Sequence, residues 1–181
     1  HGAKKYQIGY LPEERGLYDD AKTGDVLEYL GILKGLNRKE ARSRAREWLE
    51  RLDLAAEENS KIKELSKGMA QKVQFIVTIL HEPSLLIFDE PFSGFDPINA
   101  TLLKEEILRL RDNGATIIFS THNMASVEEL CDHISLINNG KAMIEGPTAE
   151  VRKAYKQNLV DIDFSGEQEK VEDILKSRFE L

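Results

Sequence analysis

Sulfur is scarce in this chain of 181 residues, which has one cysteine, Cys131, and three methionines. A single cysteine excludes an internal disulfide framework and suits a reducing compartment. An excess of basic charge is also missing. The formal net charge is −7, which argues against a nucleic-acid partner held by bulk charge. No apolar run approaches the roughly 20 residues needed to span a bilayer as a helix. Internal repeats and low-complexity tracts are absent, and no secretory signal is legible. His1-Gly2-Ala3, without an initiator Met, reads as the remnant of a tag or linker, so the chain is expected to be a piece of something longer.

What is present is a chain with 41% apolar and 31% charged residues, enough for one sizeable core with at most a small appendage. Its centre is Leu85-Leu86-Ile87-Phe88-Asp89-Glu90-Pro91. Four apolar residues ended by two acids and a proline read as a short strand buried on both faces, as in a parallel sheet covered by helices. The acids fall at the carboxyl end, the rim where open α/β sheets hold their ligands. Adjacent carboxylates there suit metal-assisted chemistry, Asp89 holding Mg²⁺ and Glu90 orienting or deprotonating a water. Solvated acids ending a buried strand are an equal reading of this heptad alone.

Before this strand, Tyr6–Leu11 reads as a strand ended by Pro12, with Glu13-Glu14-Arg15-Gly16 as a polar loop. Thr23 caps an expected helix through Val26, Leu27, Leu30 and Leu33, stopped at Gly35. Asn37 and Glu40 form a capping box for a helix through Ala41, Ala45, Trp48, Leu49 and Leu52. Ser66 opens a third, through Val73, Ile76, Val77 and Leu80. After the central strand, Asp96-Pro97 starts a helix expected to bury Ile98, Leu102, Leu103, Ile107 and Leu110, with Gly114 as its stop. Thr116–Ser120 reads as a second buried strand, followed by Thr121-His122-Asn123 and a short helix through Val127 and Leu130. A hairpin turns at Asn139-Gly140, and a helix follows Pro147-Thr148. Alternating strand and helix imply a parallel sheet. Leu159–Phe164, then Val171, Ile174 and Leu175, read as a strand and helix beginning a small appended domain.

Four short motifs stand in a fixed order: Leu65-Ser66-Lys67-Gly68-Met69, Asp89-Glu90, Ser93-Gly94-Phe95-Asp96, and His122. Each alone is weak. Together, over roughly residues 6–155, they resemble the ATP-binding subunit of ABC transporters. The stretch Tyr10–Leu17 and the Leu-Ser-Lys-Gly-Met signature resemble most the sodium-efflux type of bacterial and archaeal exporters. The resemblance implies an α/β fold with a P-loop NTPase core. Its parallel sheet would be truncated and flanked by helices, with an inserted helical subdomain. It divides the chain into a Q-loop strand (1–16), a helical subdomain (17–83), the second half of the core (84–158) and the start of a C-terminal domain (159–181).

Roles follow from the same resemblance. Ser66, Lys67 and Gly68 would meet the γ-phosphate of ATP held by an opposite, head-to-tail subunit. The capped helix N-terminus supports this by favouring an anion, although a Ser cap alone is commonplace. Asp89 would support Mg²⁺, with Glu90 as the catalytic base and His122 as the switch histidine. Asp96 would touch the second subunit while also capping its helix. Glu13, where the family usually has glutamine, would ligate Mg²⁺ or a water, with Glu14 as a rival. The family's phosphate loop, G-x-x-x-x-G-K-[S/T], is missing from the sequence, and that loop supplies most of the phosphate grip. The resemblance therefore implies an ATPase driving a transmembrane permease from the cytoplasmic face of the membrane, and a chain that is inactive alone. A soluble ABC ATPase of DNA repair or translation, and a nucleotide-free docking module, stand as alternatives.

Overall fold

The computed structural model describes residues 7–14, 16–155 and 171. Tyr6, Arg15 and the expected appended domain at 159–181 lie outside the described residues, apart from Val171. The chain divides into two compact units, one ending at Asp132 and one beginning at His133.

The first unit holds a three-stranded parallel sheet in the order β1-β2-β3, with β1 at Ile8–Leu11, β2 at Leu85–Asp89 and β3 at Thr116–Ser120. Leu86 stands level with Gly9 and Ile117, and Asp89 with Ser120. Between β1 and β2 come three helices: α1 (Thr23–Leu33), α2 (Arg38–Arg51) and α3 (Lys67–Ile79). After β2 come α4 (Pro97–Asp112) and α5 (Met124–Leu130). One core unites the sheet with α1 to α4, built on Leu27, Leu49, Phe75, Ile76, Phe88 and Leu103. Phe75 on α3 packs against Phe88 on β2, with ring centroids 5.7 Å apart. Gly9 allows β1 to lie against α3: a Cβ there would stand 2.5 Å from the Thr78 carbonyl oxygen.

Local signals set the helix starts. Asn37 and Glu40 close the capping box of α2. Ser66 caps α3 by accepting from the Met69 amide at 3.2 Å, and Asp96 caps α4. Thr23 departs from expectation. Lys22 occupies the cap position of α1, and the Thr23 hydroxyl donates to the Ser60 carbonyl at 3.0 Å. A partner 37 residues away, invisible to local pattern, claims the side chain.

Two burial expectations are also corrected. Ile98 is 82% exposed, because it lies five residues before Leu103, about 140° around the helix from that buried position. The strands are covered on one face rather than both. Leu86 and Phe88 are buried, whereas Ile118, on the other face of β3, is 55% exposed. Helices α3 and α4 contribute to the same core as Leu86 and Phe88, and β3 ends the sheet order.

The second unit holds an antiparallel hairpin, β4 (His133–Asn138) and β5 (Lys141–Pro147), followed by α6 (Thr148–Tyr155). Asn139 and Gly140 turn it with φ of 49° and 72°, the left-handed pair that a two-residue turn requires.

Candidate functional site

Parallel pairing brings the two acids to the residues that follow β3. Asp89 ends β2 beside Ser120, whose hydroxyl donates to its Oδ1. Glu90 comes one residue later, its amide donating to the Ser120 carbonyl at 3.1 Å. Its φ is 45°, a left-handed conformation that costs on the order of 1–3 kcal/mol for a residue with a side chain. That bend turns the carboxylate toward the loop after β3. Glu90 Oε1 accepts from the His122 amide at 2.9 Å and lies 2.7 Å from His122 Nδ1. Glu90 Oε2 accepts from the Thr121 hydroxyl at 3.1 Å. The carboxylate is only 19% exposed, whereas the His122 side chain is 88% exposed.

Asp89, Glu90 and His122 are thus gathered at one rim, as their order predicts. Ser120 and Thr121 join them and escaped sequence reasoning. The available signal was the strand register: two parallel strands ending together place the hydroxyl pair opposite the acid pair. This cluster provides a held carboxylate, a neighbouring imidazole and carboxylate oxygens suited to a hard cation.

Ser66, Lys67, Gly68 and Asp96 form a second neighbourhood, where the first turn of α3 meets the loop at 93–96. Gly94 has φ 77°, and a Cβ on it would stand 2.7 Å from Lys67 Cε. Asp96 Oδ1 accepts from the Ile98 and Asn99 amides, each at 3.0 Å. The Asn99 backbone and side-chain donors hold the Asp96 carboxyl below its usual range.

Glu13 and Glu14 are exposed. Their loop is fixed by backbone: buried Gln74 of α3 donates its Nε2 to the carbonyls of Pro12 at 3.4 Å and Glu14 at 3.2 Å. Gln74 is another residue that sequence reasoning missed. Among the described residues, no group of three His, Cys, Asp or Glu side chains is gathered to hold a metal. An all-protein site of three such ligands around Asp89 or Glu13 is therefore not formed among the described residues. Mg²⁺ does not require one, because it keeps several waters and binds through one or two carboxylates plus substrate phosphates.

A profile of the family described as ABC transporter matches residues 2–93. The chain is 48% identical over 156 residues to an uncharacterized ABC transporter ATP-binding protein of Alkalihalophilus pseudofirmus, covering 86% of this chain and 58% of that protein. It is also 48% identical to the uncharacterized ABC transporter ATP-binding protein YhaQ of Bacillus subtilis, covering 86% of this chain and 52% of that protein. A solved structure titled "Structure of ATP binding subunit of ABC transporter" superposes with a TM-score of 0.76 at 32% identity, over 83% of this chain and 63% of that one. The chain thus spans between half and three-fifths of the length of these two relatives. The superposition assigns the sheet and its covering helices to the α/β ABC ATPase fold.

Proposed function

This chain belongs to the ABC transporter family, among its ATP-binding proteins, and from that premise we propose that it is part of the ATPase subunit that powers a membrane permease. The observation that carries the reading is the clamp on Glu90. A carboxylate bent out of its strand, with both oxygens engaged by Thr121 and His122, is oriented to take a proton from an attacking water.

Within this reading Glu90 is the general base. His122 holds Glu90 and contacts the γ-phosphate. Asp89, with an oxygen supplied by Glu13, supports Mg²⁺, which would neutralise charge on the nucleotide's phosphates. Ser66, Lys67 and Gly68 face ATP bound to a second, head-to-tail subunit, and Asp96 meets that subunit. The exposed first turn of α3 suits this, since its free amides attract phosphate. Phosphate binding is completed by a G-x-x-x-x-G-K-[S/T] loop that the 181 residues do not contain, so the chain by itself is inactive. Among the described residues, Ile8–Leu11 is then the Q-loop strand, 17–83 the helical subdomain and 84–155 the second half of the core.

The working protein lies on the cytoplasmic face of the membrane against transmembrane permease subunits. Among the described residues no helix is long and apolar enough to cross the membrane itself. The sequence stretch Tyr10–Leu17 supports the sodium-efflux type of exporter, and the net charge of −7 gives no support to a nucleic-acid partner. ATP turnover tests the reading: the complete protein should hydrolyse MgATP and the 181-residue chain should not. Turnover by the isolated chain that Glu90→Gln abolishes would overturn the assignment of an incomplete site.

A further inference from the structure

The first turns of α3 and the loop at 93–96 are fastened together by contacts outside the Glu90 clamp. Gln71, one turn beyond Ser66 and Lys67, donates its Nε2 to the Ser93 carbonyl. That carbonyl can only accept, so the amide orientation is determined. Its other end, Gln71 Oε1, is buried without a hydrogen-bond partner. An unpaired buried acceptor is costly, and the fold tolerates it while keeping the bond to Ser93.

Three further contacts run alongside. The end of the Lys67 side chain lies over Gly94, with Cε 2.7 Å and Nζ 2.8 Å from where a Cβ would stand. The Phe95 ring reaches within 3.9 Å of the corresponding point on Gly68. The Ser93 amide donates to the Glu90 carbonyl at 3.0 Å. Gln71 is therefore one hydrogen-bonded turn away from Glu90, and also one helical turn from Ser66.

We infer that Gln71 is a positioning residue, which ties the loop at 93–96 to the Ser66-bearing end of α3. Ser66 and Asp96 then present themselves to a second subunit as one rigid face. The Lys67 stem over Gly94 closes the same face from the side. This inference rests on the ATPase reading above, because it assigns Gln71 to the ATP-dependent pairing of two subunits. The side-chain amide of Gln71 is spent on the Ser93 carbonyl, so its substitution acts on pairing rather than on nucleotide capture by one subunit.

The test uses the complete protein carrying Glu90→Gln, so that bound ATP is not consumed. Two variants, Gln71→Leu and Gln71→Met, keep the side-chain volume and remove both the donor and the unpaired acceptor. Removing the unpaired Oε1 offsets the loss of the donor to Ser93, so the melting temperature should hold within a few degrees. ATP affinity of the separated subunits, measured below the pairing concentration, should stay within about twofold. The ATP concentration that half-saturates pairing, read by light scattering, should rise about tenfold, the effect of one directed hydrogen bond. Pairing unchanged in both variants would overturn the inference and leave the ATPase reading intact. So would an equal loss of single-subunit ATP affinity. Absence of ATP binding in the unsubstituted protein would instead overturn the ATPase reading and this inference with it.

Discussion

The Thr121 hydroxyl donates to Glu90 Oε2 at 3.1 Å while accepting the Asn123 amide at 3.1 Å. Its proton and a lone pair are both committed, so the hydroxyl cannot rotate away. Glu90 Oε1 faces His122, and Thr121 fixes the other oxygen. In the complete protein, Thr121→Val should lower kcat about 10- to 100-fold, the range for losing a hydrogen bond to a charged group. Thr121→Ser, which restores the hydroxyl, should recover most of the rate. Equal rates for Thr121→Val and the parent protein would separate Thr121 from the work of Glu90.

Glu90→Gln keeps the size of the side chain and removes its basicity. Loss of a positioned base costs about 10²- to 10⁴-fold in rate. The complete protein with this substitution should therefore lose turnover and still bind MgATP. Near-parental turnover would show that another group takes the proton.

His81 gives a pH dependence of folding. Its Nε2 lies 3.3 Å from the Ile8 carbonyl, an acceptor, so Nε2 carries the hydrogen in the neutral ring. Nδ1 is buried without a partner. Burial first, then the charges of Lys34 and Arg44, push the His81 pKa below its ordinary 6.5. The folded chain thus resists a proton that the unfolded chain accepts. Stability is complete above about pH 6.5 and falls as pH drops below that value, until the folded ring also protonates. His81→Gln, which keeps a donor for Ile8, should flatten the melting temperature between pH 7 and pH 5. A parental slope retained in that variant would locate the dependence elsewhere.

Strand β3 ends the sheet with Ile118 largely exposed. An exposed apolar edge templates pairing with another chain. The isolated 181-residue chain should therefore self-associate and bind a dye for apolar surface. Ile118→Lys should reduce both. A parental chain that melts cooperatively as a dye-free monomer would be incompatible with this expectation.

Tyr18 and Tyr29 form an exposed edge-on pair with centroids 6.2 Å apart. They stand in the stretch 17–83 proposed as the helical subdomain, and we expect that subdomain to meet the permease. Cysteine at either position should crosslink to permease loops in an assembled complex. No crosslink from either site, in an intact complex, would place the contact elsewhere.

The sequence by itself determined the parts of this protein governed by neighbours in the chain. Asn37 with Glu40, Ser66 with Met69 and Asp96 with Asn99 are contacts three residues apart, so pattern alone located those helix starts. The same holds for the Asn139-Gly140 turn and for the apolar run of β2. Tertiary structure decided what depends on distant partners. Ser60 took the Thr23 hydroxyl from its expected cap. The register of Asp89 against Ser120 placed Thr121 and His122 on Glu90, 31 and 32 residues away. Gln74 reached the loop at Glu14 across 60 residues. Burial of Ile98 and Ile118 was misread for a related reason: periodicity shows that a face is apolar, and only packing decides which face is covered. Local hydrogen bonds and side-chain periods are written in consecutive residues, whereas register and face coverage exist only once the strands have paired.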